Sequence, residues 1–157
     1  MSENAQTEKL LAIIRVESDP KKLKTWMENA RTQKSTTIYE AAFRRYCELS
    51  GREYDDVLDR EFHEVMTALE TALSEVRGRT TWLNRTRQKL NRVGVKQLLA
   101  DLAMSPTPSD GFRYLLDFGM ADMSAEALVI KHQQMFSNEV VNAARARLLA
   151  FNINIQE

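Results

Sequence analysis

Turn formers are scarce in this chain: five glycines and three prolines stand among 157 residues. With 43% of its residues apolar, the chain carries enough surface to offset the entropy of ordering, which excludes a loop-rich or disordered protein. Cysteine is nearly absent, and Cys47 by itself cannot close an internal disulfide. The first 20 residues mix glutamates and lysines and lack the roughly 7–15-residue apolar core of a secretory signal. Apolar runs last a few residues, against the ~20 that span a bilayer. These absences point to a reducing, cytoplasmic setting and no membrane partner. No stretch alternates apolar and polar residues long enough for a sheet; the tail FNINIQE alternates, but one strand has nothing to pair with. A phosphate-cradling glycine loop, a zinc-ligand spacing and a nucleophile elbow are all missing. No catalytic residue, cofactor or metal is therefore expected, and the function classes left are binding ones.

What is present is helical periodicity, and the expected fold is a single all-α domain over 1–157. Thr7 precedes EKLLAIIRVE, with Leu10, Leu11, Ile13 and Ile14 available for burial. Asp19 and Pro20 open a second helix as N-cap and first residue, with Leu23, Trp26, Met27 and Ala30 at helical spacing. KSTTIYEAAFRRYCELSG forms a third, ended by Gly51. The segments over 7–50 thus make an N-terminal layer that contains a helical hairpin. From Leu58 through Phe62, Val65, Leu69, Ala72 and Val76 to Leu83 and Leu90, apolar residues follow steps of four and three, with Thr80 and Arg87 in register. This seam predicts one long central helix over 56–93, on the order of 55 Å, with Gly78 as the place for a kink or break. Short helices follow over 95–152. They comprise VKQLLADLAM, FRYLLDFGM with Gly119 near its end, SAEALVIKH capped by Ser124, and SNEVVNAARARLLAF capped by Ser137. Their expected core is Phe112, Leu115, Leu116, Leu128, Ile130, Val140 and Leu148.

Charge is balanced overall, 22 cations against 22 anions, but not locally. Residues 51–75 hold two arginines and eight carboxylates, net −6. Residues 76–100 hold Arg77, Arg79, Arg85, Arg87, Lys89, Arg92 and Lys96 with no carboxylate, net +7. If the helix runs on, Arg85, Lys89, Arg92 and Lys96 fall on one face at i, i+4, i+7 and i+11, beside Asn84, Gln88 and Asn91. Like charges on successive turns repel by a few tenths of a kcal/mol per pair. A polyanion offsets that cost through counterion release. The expected partner is nucleic acid, duplex DNA ahead of RNA, with the amides reaching phosphates or base edges.

The competing reading is a protein-interaction subunit. Two copies paired antiparallel through 58–90 would set each acidic block against a basic one, and a chain folding back at Gly78 would do the same internally. A helix-turn-helix about Gly94 is a weaker fit, because the second helix would present Gln97, Leu98, Asp101 and Leu102, an acid and two leucines, to the major groove. Asp59 and His63 share a helical face as a metal pair would, yet two such residues on an acidic helix are commonplace, and no metal site is assigned. His132 suits the C-terminus of its helix. Cys47, among Phe43, Tyr46 and Leu49, reads as a small buried hydrophobe. Trp26 fits the core, while Trp82, beside the cations, is a candidate for stacking on a base.

Overall fold

The computed structural model describes residues 3–154, and among them every regular element is helical. Eight α-helices follow in order: α1 (Glu3–Val16), α2 (Pro20–Thr32), α3 (Thr36–Gly51), α4 (Val57–Arg77), α5 (Asn84–Met104), α6 (Asp110–Asp117), α7 (Ala125–Lys131) and α8 (Asn138–Ala150). Two short 3-10 turns, Ala121–Met123 and Gln133–Met135, flank α7. The all-α class is borne out. The last three residues of the FNINIQE tail lie outside the described residues.

Local chemistry sets most helix starts. Asp19 accepts from the Lys21 N–H at 2.9 Å and Asp56 from the Asp59 N–H at 3.0 Å. Ser35, Ser109, Ser124 and Ser137 each accept from the N–H three residues on. These side chains satisfy donors that have no partner inside the helix. Ser124 and Ser137 cap where the sequence indicated; α1 starts at Glu3, earlier than the Thr7 reading.

Helix α4 organises the packing. It lies against α3 and, on another side, against α6 and α7, while α5 packs on α7 and α8. Leu58, Phe62, Val65, Leu69 and Ala72 of the sequence seam are buried in it, but so are Met66, Ala68, Thr71 and Leu73, which lie off that seam. A helix buried this far around has neighbours on several faces rather than one. The core continues through Ile14, Leu23, Met27 and Phe43 in the N-terminal helices and Leu99, Leu115, Val129 and Leu148 in the C-terminal ones. Of the seven apolar residues expected to form the C-terminal core, five are buried; Leu116 and Val140 are half-buried at its edge.

The continuous helix expected over 56–93 does not form. Helix α4 ends at Gly78, which takes the left-handed conformation (φ 70°, ψ 20°) and donates its N–H to the Ser74 carbonyl. The turn is then stitched by Ser74, whose hydroxyl donates to the Glu70 carbonyl at 2.7 Å and accepts from the Thr81 N–H at 2.8 Å. The heptad spacing of Val76, Leu83 and Leu90 does not mark one buried seam: Val76 is exposed near the end of α4, and Leu83 and Leu90, past the turn, are half-buried at the edge of the core. Helix α5 bends in its turn at Gly94 (φ 86°, ψ 171°). The bend is large, because Lys89 and Asp101 form an ion pair at 2.5 Å. In a straight helix residues twelve apart stand about 18 Å apart along the axis.

Candidate nucleic-acid interface

The basic stretch divides into cations that are already paired and cations that are not. Arg87, on the first turn of α5, reaches back to Glu70 on α4, donating from Nε to Oε2 at 2.8 Å and from Nη2 to Oε1. The Leu83 N–H donates to the same carboxylate at 2.9 Å. Glu70 thus serves as the missing cap of α5, whose N-cap residue Leu83 has no side chain able to accept. The arrangement fills the positive end of that helix with a protein carboxylate. Donating to Glu70 raises the Arg87 pKa further. Lys89 is neutralised by Asp101, which it holds below the usual carboxylate range with help from the Gln97 amide at 2.9 Å.

Five cations remain. Arg77 ends α4, Arg79 lies in the connector, Arg85 and Arg92 stand on the first half of α5, and Lys96 follows the bend. All five are exposed, and their side chains make no ion pair or hydrogen bond among the described residues. Arg85 and Arg92 share a face of the ten-residue helical stretch 84–93, about 10 Å apart along its axis. Asn84, Gln88 and Asn91 are exposed in the adjacent row with side chains likewise unengaged. The expected four-residue stripe is corrected in two respects. Lys89 is spent on Asp101, and the bend at Gly94 takes Lys96 out of helical register with Arg92.

The second half of α5 is not a groove-reading surface. Leu98 and Leu99 are buried against the C-terminal helices and Asp101 is held by Lys89, as their side-chain types foreshadowed. Nor is the seam over 58–72 open to a second copy: Leu58, Phe62, Val65, Leu69 and Ala72 are all in this chain's own core. The acidic and basic blocks do meet within one chain, through Glu70 and Arg87.

The other singled-out residues have structural settings. His63 is held by the Asp59 backbone carbonyl at 2.8 Å from Nδ1, not by its carboxylate, and stacks on Tyr54 with ring centroids 3.8 Å apart. Nδ1 therefore carries the hydrogen, since a carbonyl only accepts. No group of three or more metal-ligating side chains occurs among the described residues. His132 caps α7 and, with Lys131, meets Glu61. Cys47 is fully buried, and desolvation pushes its thiol pKa far up. Trp26 is half-buried, whereas Trp82 is 58% exposed and lies under the Arg87 guanidinium, 5.7 Å from the ring centroid.

Sequence reasoning did not find Glu70 or Asp101 as partners of the cations, nor the cleft that Glu70 borders. This cleft has a volume of about 290 Å³ and lies between α2, α3, α4 and the connector before α5. Lys24 projects its ammonium over the Tyr46 ring there, 4.6 Å from the centroid, and loss of hydration lowers its pKa. No helix of the described residues is long and apolar enough to cross a membrane. The chain matches no family model, no curated protein and no solved structure.

Proposed function

We propose that this is a non-enzymatic nucleic-acid-binding protein, acting on duplex DNA in a regulatory or architectural role, through Arg77, Arg79, Arg85, Arg92 and Lys96 with Asn84, Gln88 and Asn91 beside them. One observation carries the reading: five exposed cations lie within twenty residues of chain that contain no carboxylate, and none of their charged side chains has a protein partner among the described residues. Uncompensated like charge held on an ordered surface costs free energy that a polyanion returns through counterion release. Arg87 and Lys89 serve a different purpose, Arg87 tying the start of α5 to Glu70 of α4 and Lys89 pairing with Asp101 across the bend within α5.

Mobility shift on a duplex across a salt series tests the proposal. With about four phosphates neutralised, affinity falls on the order of 100-fold between 50 and 200 mM salt. Arg85→Glu together with Arg92→Glu abolishes retention while the melting temperature stays within a few degrees of the parent chain. Duplex retention at low salt that the double substitution leaves intact sinks the assignment. Salt-sensitive self-association without retention of DNA favours a docking subunit instead.

A further inference from the structure

The cleft beside Trp82 has a composition that packing alone does not require. Glu70 and Ser74 line it and are consumed by the connector contacts already described, but other polar groups in its wall are idle. The hydroxyls of Tyr46, Thr67, Thr71 and Thr80 make no hydrogen bond among the described residues. Thr71 is notable because the residue is 5% exposed, and its hydroxyl is left facing the cleft rather than bonded to the helix backbone. No buried side-chain polar atom among the described residues lacks a partner, so these hydroxyls open onto the solvent of the cleft and are available to a polar occupant.

Two cations in the lining, Lys24 and Arg52, also make no ion pair among the described residues; Arg87 is committed to Glu70, and Glu53 is the one carboxylate of the wall without a partner. The uncommitted charge therefore favours an anion with room for one donor group at Glu53. Trp82 adds an exposed indole face beside these groups, on which a planar ring stacks. A volume of about 290 Å³ is at the lower end of ligand pockets, which suits one nucleotide and not a run of them.

We propose that this cleft binds a nucleoside monophosphate, with its phosphate at Lys24 and Arg52, its polar body along Tyr46, Thr67 and Thr71, and its base on Trp82. The site is separate from the cations offered to duplex DNA, and neither assignment depends on the other.

The test uses the full chain carrying Trp26→Phe, in which Trp82 is the remaining indole, titrated by fluorescence with adenosine monophosphate, adenosine and inorganic phosphate. The monophosphate is expected to quench saturably in the submillimolar range, with adenosine and phosphate each at least about tenfold weaker. Lys24→Gln weakens the monophosphate about tenfold and Thr71→Val severalfold, both with unchanged melting. Arg85→Glu with Arg92→Glu leaves its affinity unaltered. Calorimetry on the unsubstituted chain gives the same ranking and serves where Trp26→Phe does not fold. No saturable binding up to about 10 mM overturns the proposal. So does phosphate binding as tightly as the monophosphate, or affinity indifferent to both Lys24→Gln and Thr71→Val. A single-stranded oligonucleotide that displaces the monophosphate at lower concentration also overturns it, making the cleft a strand-binding pocket.

Discussion

Glu70 and Arg87, seventeen residues apart in the chain, form a two-pronged ion pair that closes the connector between α4 and α5. The carboxylate is 5% exposed and the guanidinium 48%, so the two ends of the pair are not equivalent. Removing the cation strands a buried charge; removing the anion leaves a cation that water can reach and frees the Leu83 N–H at the partly exposed start of α5. Arg87→Ala is therefore expected to cost about 2–3 kcal/mol, below the ~3–5 kcal/mol of a wholly buried pair, and Glu70→Ala about half as much. Urea unfolding of the two variants measures this, and the reverse order refutes the account.

Gly51 closes α3 without a left-handed conformation, so its role is space. A Cβ there falls 2.5 Å from the Arg60 backbone oxygen, with the Arg60 and Glu64 side chains at 3.0 and 3.1 Å. Helix propensity alone predicts that Gly51→Ala stabilises by at most about 1 kcal/mol. Overpacking against backbone costs about 1–3 kcal/mol, and it wins because α4 cannot yield cheaply. A lowered melting temperature is expected; a raised one means that α3 and α4 are farther apart than described.

Cys47 is inaccessible, and burial, with the Glu64 charge second, drives its thiol pKa upward. The thiolate is the reactive form. A disulfide reagent at pH 8 is expected to label Cys47 at the global unfolding rate and promptly in denaturant. Prompt stoichiometric labelling of the native chain contradicts this core placement.

Glu64 has its pKa raised, first by burial and then by Glu48 and Glu61, against Arg60 and Lys131. Its proton is held more tightly in the folded state than in the unfolded one. The stabilisation this gives is complete below the unfolded value, about 4.3, and is lost as pH rises through the higher folded value. Glu64→Gln, which mimics the protonated form, is thus expected to stabilise at pH 7 and lose that advantage toward pH 4. The side chain is half-exposed, so solvent screening limits the gain to a few tenths of a kcal/mol. An equal gain at both pH values removes ionisation as the cause.

The amino-acid sequence by itself determined what local chemistry controls. The caps Asp19, Ser124 and Ser137, the apolar spacing within each helix, the burial of Cys47 and the exposure of Trp82 follow from neighbours a few residues away. Tertiary structure decided the rest. The seam from Leu58 to Leu90 has the same spacing on both sides of Gly78, and periodicity does not say where its neighbours are. Arg85 and Arg87 look alike in sequence, yet one meets solvent and the other a buried carboxylate. Lys89 is set apart from Arg92 by a bend that returns Asp101 to its side. The cleft likewise gathers Lys24, Tyr46, Thr71 and Trp82 from four separate segments. Periodicity within a helix is a short-range property, whereas the pairing of charges and the enclosure of space depend on which segments the core brings together.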